Sequence, residues 1–311
     1  MVNKNVLISV IVPTYKRSEK LSRAIDSILN QTWQNVEIVV VNDNIPDSDF
    51  DVETKKTLRD YQNNPKVKVV ETNGAVGGGA ARNIAIKHCT GDYVAFLDDD
   101  DRFLPEKLEK QYEFMIENNL DMCYQDIQWN NEDEKVIEYR KLDYVKDFSK
   151  ENLIREHILH SISPTAIYMI KREKLLETDG FGEVIMGQDW FLMLRCIEAG
   201  LKIGYMPGAY VIQYLHSGER ISLGTNKIVG ENELYDYKKK YYKYLSEDDK
   251  KYVDFRHYAV LSFASLRSKR YFDAVKYSVK TVFVSPKNCV LEAKRYFGGK
   301  NKGVEKWKVL F

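Results

Sequence analysis

The feature that most restricts the fold is an alternation, over the first hundred residues, between short β-rich apolar runs and segments of helical spacing. Residues 6–12 (VLISVIV) form a continuous apolar run, the pattern of a strand covered on both faces. Residues 18–30 then place Leu21, Ala24, Ile25, Ile28 and Leu29 on one helical face, with Ser18 positioned to cap the helix. Residues 36–41 and 67–70 read as the second and third strands, 80–87 as a helix and 93–97 as a fourth strand. Pro105 suits the first position of the next helix. Strand–helix–strand order repeated in this way predicts an α/β fold with a doubly wound, mostly parallel sheet.

From about Asp121 the pattern is less regular, with a short strand over 122–125 and a polar stretch over 130–135. Helices are predicted over 150–160 and 188–199, the second stopped by Gly200, and short edge strands over 202–206 and 210–215. Beyond residue 230 only helical, Tyr- and Lys-rich sequence remains, so 1–230 reads as the α/β domain and 231–311 as a basic helical appendage. A chain of 311 residues is long enough for both. No apolar run approaches the roughly 18 residues of a membrane span, and no cleavage-site pattern follows residues 6–12; the expectation is a cytoplasmic chain. Cys89, Cys123, Cys196 and Cys289 show no paired spacing and read as buried free thiols.

Ligands of open α/β sheets gather at the carboxyl ends of the strands, so motifs that follow strands carry the chemistry. Asp98, Asp99, Asp100 and Asp101 come directly after the fourth strand. Adjacent carboxylates repel unless a cation sits among them, and hard oxygen donors suit Mn²⁺ or Mg²⁺. Asp100 is the expected metal ligand, with Asp98 or Asp99 facing a ribose; a solvated acidic turn is the other reading. Pro13, Thr14, Tyr15 and Arg17 end the first strand, where they could meet a base or phosphate or form a plain turn. Asp43 ends the second, either accepting from a pyrimidine N–H or forming a turn. A glycine-rich segment, residues 73–79, leads into a helix bearing Arg82 and invites close backbone approach to a nucleotide, although no P-loop lysine follows. Asp189 and Trp190 open a helix, as a general base beside a sugar-stacking ring or simply as a favourable helix-dipole charge. His216 and Arg220 follow the last predicted strand as a further metal ligand and a phosphate clamp, against a structural role.

Taken in order, Val-Pro-Thr-Tyr-x-Arg, Val-Val-x-Asp, Ala-Arg-Asn, Gly-Asp-Tyr-x-x-Phe-Leu-Asp-x-Asp-Asp, Gly-Phe and Gln-Asp-Trp resemble a family-2 glycosyltransferase of the GT-A fold, over about residues 6–222. The resemblance implies that Thr14, Asp43 and Arg82 bind a nucleotide and that Asp43 reads its base. It places Asp98 to Asp100 on the D-x-D motif, with Asp100 on the cation. Asp189 falls on the catalytic base, and His216 and Arg220 on a loop that closes over the diphosphate. Asn42-Asp43-Asn44-Ile45 stands where members commonly have Asp-Asp-Gly-Ser, Asn44 being able to take the left-handed turn position. Gln188 replaces a frequent Glu, and the Gln-x-x-Arg-Trp motif of processive synthases is absent, implying one sugar per encounter. The implied partners are a nucleotide-sugar donor, with UDP expected, and a lipid-linked glycan acceptor of surface-polysaccharide assembly.

Residues 267–308 carry twelve Lys or Arg against Asp273, Glu292 and Glu305, interleaved with Tyr271, Phe272, Val275, Val279 and Phe283. A solvated helical face and peripheral attachment to an anionic inner leaflet both fit; nucleic acid is not expected. Two other functions share parts of the pattern. A sugar-1-phosphate nucleotidyltransferase would want glycine in the loop after the first strand, which Thr14-Tyr15-Lys16-Arg17 lacks. A catalytically inactive nucleotide-sugar-binding module would have lost Asp189 or the acidic run.

Overall fold

In the computed structural model, residues 3–184, 186–215 and 225–298 are described. The elements run β1 (Ile8–Thr14), α1 (Ser18–Leu29), β2 (Val36–Asn42), α2 (Asp49–Leu58), β3 (Val67–Glu71), α3 (Gly78–His88) and β4 (Tyr93–Phe96). Then come β5 (Arg102–Phe103), α4 (Lys107–Glu117), β6 (Met122–Asn130), β7 (Val136–Arg140), α5 (Lys150–His160), β8 (Met169–Lys171) and α6 (Arg172–Leu176). The last are α7 (Gln188–Glu198), β9 (Ile203–Tyr214), α8 (Thr225–Lys239), α9 (Glu247–Arg267), α10 (Tyr271–Val284) and α11 (Pro286–Gly298).

The chain divides into two compact units, described separately. The first comprises Met1–Lys150, Ile162–Glu183 and Gln188–His216. Its sheet has the order β3-β2-β1-β4-β8-β6-β9-β5, with β7 paired to β6. Strands β3, β2, β1 and β4 are parallel, as the alternating sequence predicts, whereas β8 enters antiparallel between β4 and β6. Alternation sends Ile8, Val10, Val12, Ile38, Val40 and Ala95 to one face, where they bury Leu21, Ile25 and Ile28 of α1 and Leu108 and Met115 of α4. The opposite residues, among them Val39, Val41, Val94 and Phe96, are equally buried, and α3 packs against β1 and β2. Burial on both faces is why these strands are continuously apolar, and it holds their carboxyl ends rigidly at one edge.

Several local expectations change. Ser18 is not the cap of α1: Arg17 holds that position, without a side-chain cap hydrogen bond. The polar stretch after residue 130 is a hairpin turn between β6 and β7, closed by the Asn131 side chain accepting from Lys135 N at 2.8 Å. The two short strands expected over 202–215 are one strand, β9. Its Pro207-Gly208 pair is accommodated where the register with β6 shifts, and Gly208 N donates to Asp126 at 3.1 Å. Gly200, at φ +76°, does terminate α7.

The second unit comprises Glu151–Ser161, Val184–Gly187 and Ser217–Phe311. Past residue 224 its described regular elements are all helices, as expected from the absence of strand patterns there. Leu261 and Ala264 of α9 pack with Ile228 of α8 and Tyr277 of α10, and Arg155 of α5 grips Asp249 of α9 with bonds of 2.7 and 2.8 Å. All four cysteines are free thiols, and among the described residues no helix is long and apolar enough to cross a membrane.

Candidate active site

Because β1, β2 and β4 run parallel, Thr14, Asp43 and the acidic run from Asp98 emerge at one edge of the sheet. The first two positions are braced by protein. Asp43 is buried, and its carboxylate accepts from Thr72 Oγ1 at 2.6 Å, Val76 N at 3.0 Å and Gly77 N at 2.9 Å. It therefore shapes the glycine-rich segment. That segment needs glycine: Gly74 lies at φ +92°, where a Cβ would stand 2.7 Å from the Ile45 Cα. Lys16, at φ +59°, donates its backbone N–H to Asn44 Oδ1 at 2.8 Å. The expectation that Asn44 itself takes a left-handed turn is corrected: its φ is not positive. Its amide instead bonds Asn42 at 2.8 Å and Thr54 at 3.0 Å, tying β2 to α2.

The acidic corner is arranged differently. Strand alternation predicts that Asp98 and Asp100 share one side and Asp99 and Asp101 the other. The backbone turns there, with Asp101 N donating to Asp98 O at 3.1 Å. Asp98, Asp100 and Asp101 are thereby brought together, each offering a carboxylate oxygen within 4.8 Å of the others. Asp101 was missed as a ligand candidate because alternation stops at the turn. It is buried and oriented by Gln213 Nε2 at 2.9 Å and Tyr214 N at 3.1 Å, both from β9. Asp99 is 1% exposed and neither of its oxygens has a hydrogen-bond partner; Arg17 Nε lies 3.5 Å away. Burial pushes its pKa up to about 7 against the pull of Arg17. The neighbouring Thr14 hydroxyl is likewise buried, and its pull on the Asp99 carboxylate acts with Arg17 against the burial.

Cations line this corner. Arg17 pairs with Asp100, Arg23 donates to the Asp100 carbonyl, and Arg82 pairs with Asp98. Arg82 also reaches Gly78 O at 3.1 Å and Gln188 Oε1 at 3.4 Å, so it spans from the acidic corner to the start of α7. Asp189 lies in that first turn. Burial raises the pKa of its carboxyl, opposed by the Trp190 backbone N–H and by Arg82. Asn83, beside Arg82 and also unanticipated, clamps the Gly-Phe motif: it donates to Phe181 O at 2.9 Å and accepts from Phe181 N at 2.8 Å.

The ring of Trp190 corrects another expectation. It is 2% exposed and packs edge-on against Phe191 at 5.2 Å, so it is part of the interior and presents no face for sugar stacking. Tyr15 is exposed beside the strand end, with Lys16 Nζ 4.9 Å above its ring. His216 and Arg220 lie outside the described residues.

The sequence model described as "Glycosyl transferase family 2" matches residues 9–176, and that of "Glycosyl transferase family group 2" residues 93–268. An uncharacterized glycosyltransferase of Methanocaldococcus jannaschii is 32% identical over 200 residues, 63% of this chain and 66% of the relative. The UDP-Glc:alpha-D-GlcNAc-diphosphoundecaprenol beta-1,3-glucosyltransferase WfgD of Escherichia coli is 34% identical over 118 residues, 38% of this chain and 44% of the relative. The chain thus spans two thirds or less of these relatives' length. Among solved structures, S. aureus TarS (residues 1–349, in complex with UDP-GlcNAc) aligns with a TM-score of 0.59 at 18% identity, covering 94% of this chain and 92% of that one. Mannosyltransferase PcManGT of Pyrobaculum calidifontis, in complex with GDP-Man and Mn²⁺, aligns with a TM-score of 0.61 at 16% identity, covering 94% and 80%. At such identities these two establish the fold, which is GT-A.

Proposed function

We propose that this chain, which belongs to glycosyltransferase family 2, moves a single sugar from a nucleotide diphosphate to an acceptor hydroxyl with inversion at the anomeric carbon. The observation that carries the reading is the span of Arg82, which pairs with Asp98 at the acidic corner and reaches Gln188 beside Asp189. A charge-neutralising site for a departing diphosphate and a carboxylate base thereby share one sheet edge.

Asp189 accepts the proton of the acceptor hydroxyl as that oxygen bonds to the anomeric carbon. The bond from that carbon to the diphosphate oxygen breaks, and the nucleoside diphosphate leaves with the electron pair. Arg17 and Arg82, paired with Asp100 and Asp98, would meet the leaving group, and Pro13, Thr14 and Tyr15 lie on the nucleotide side, with Asp43 holding the glycine-rich loop that approaches the base. The donor set of Asp98, Asp100 and Asp101 fits a divalent cation: three carboxylates, two of them buried, on a fixed strand end. Mn²⁺ or Mg²⁺ bound there would supply positive charge to the diphosphate as it departs. His216 and Arg220 keep their roles of further ligand and phosphate clamp on sequence alone. The donor is read as a UDP-sugar and the acceptor as a lipid-linked glycan at the cytoplasmic face of a membrane. In support of the donor and acceptor classes, the name of the Escherichia coli relative gives that protein a UDP-Glc donor and a GlcNAc-diphosphoundecaprenol acceptor.

The test is Asp189→Asn. Transfer should fall by about 10²–10⁴-fold, the ordinary size of a lost general base, while donor binding stays intact. Full activity in this variant would sink the assignment of the base. A base must be ionised to act, and burial raises the Asp189 pKa, so kcat/KM should fall as pH drops through that raised value. Its acid limb then lies above the ordinary aspartate value of about 3.9. Product analysis distinguishes the chemistry: nucleoside diphosphate marks transfer, pyrophosphate a nucleotidyltransferase.

A further inference from the structure

Helix α10 is apolar on the wrong side for a water-exposed helix. Ala274 and Tyr277 face α9, with Ser262 of α9 donating to Ala274 O at 3.0 Å and meeting Ser278 at 2.6 Å. Advancing 100° per residue, Phe272, Val275, Val279, Val282 and Phe283 fall on the opposite side. All five are exposed, Phe272 at 84% and Phe283 at 81%. A stripe with large aromatic rings at both ends is not a surface that water alone selects.

Charge decides among occupants. Lys276 and Lys280 are exposed along one flank of the stripe, their ammonium groups resting 5.6 Å from the Tyr277 ring and 4.9 Å from the Tyr258 ring, and Lys269 and Lys287 continue the positive charge beyond the helix ends. The acid in α10, Asp273, is held by Arg270 at 2.8 Å. A second copy of the chain laid on this face would set lysine against lysine. An anionic lipid surface answers both properties, since phenylalanine and valine enter the acyl boundary while lysine ammonium groups reach phosphate.

We infer that the outward face of α10, centred on Phe272, Val279 and Phe283, seats the protein in the plane of an anionic bilayer. The helix lies on the membrane and does not span it. The binding stands without the transfer reading: it is measured without donor, so its failure and the failure of that reading are distinct.

The experiment is co-sedimentation of the full chain with vesicles of mixed phosphatidylglycerol and phosphatidylcholine, against vesicles of phosphatidylcholine alone. Binding should require the anionic lipid and weaken as salt shortens the reach of charge, from about 0.1 M to about 0.5 M. Phe272→Ser/Phe283→Ser should reduce partitioning by at least about tenfold with an unchanged melting temperature, as expected of exposed side chains. Lys276→Glu/Lys280→Glu should reduce it while leaving nucleoside diphosphate release to a water-soluble acceptor intact. Three results would overturn the inference: no preference for anionic vesicles, partitioning that survives the double serine variant, or a wild-type dimer in solution that this variant dissolves.

Discussion

Asp43 and Asp99 follow neighbouring strands on either side of β1, and both are nearly inaccessible to solvent. Asp43 is surrounded by three protein donors drawn from residues 72–77. Asp99, in the middle of the acidic run, has no close hydrogen bond to either oxygen and leans on the Arg17 guanidinium, 3.5 Å away, and on the Thr14 hydroxyl. The first carboxylate organises a loop, while the second is held in a corner that the protein leaves incomplete. A buried carboxyl with so few close donors is expensive, so such a group marks a corner suited to a cationic ligand. The contrast separates scaffold from reaction site more clearly than residue type does.

Three changes probe that contrast, from the largest effect to the smallest. Asp100→Asn, at the acidic corner, should lower transfer by about 10²–10³-fold, several kcal/mol of lost charge stabilisation, with a native melting curve. Chelation of the wild-type protein should do the same, with Mn²⁺ or Mg²⁺ restoring activity; kinetics indifferent to EDTA would erase the distinction between the two corners. Asp43→Ala leaves three donors without an acceptor and should destabilise the fold by about 3 kcal/mol, seen as a lower denaturant midpoint. Asp99→Asn keeps the shape of a buried carboxyl whose protein partners are the Arg17 guanidinium at 3.5 Å and the Thr14 hydroxyl, so unfolding should shift by less than about 1 kcal/mol while donor affinity falls. If instead Asp99→Asn unfolds the protein and Asp43→Ala does not, the comparison is inverted.

Much of this was legible in the sequence because burial leaves a local imprint. The runs in β1, β2 and β4 are apolar without interruption since helices cover both faces, and a strand identified that way also identifies its carboxyl end. That was enough to bring Thr14, Asp43, Arg82 and the aspartates toward one edge. What escaped depended on partners distant in the chain. Asp43 finds its donors some thirty residues further on, across a loop whose path only the fold reveals. Asp101 joins the acidic group because the chain turns after Leu97 and because β9 supplies Gln213. Trp190 reads as a platform next to a catalytic aspartate, but the helix rotates it into the interior. Pro207-Gly208 signals a strand break, yet pairing with the long β6 carries β9 through it.

The most direct test of the central claim is a calorimetric titration of UDP into the wild-type chain and into Asp100→Asn, each with Mn²⁺ and with EDTA. The account predicts that Mn²⁺ tightens UDP binding to the wild type by about tenfold or more and does little for the variant. Equal UDP affinity in all four titrations would contradict it.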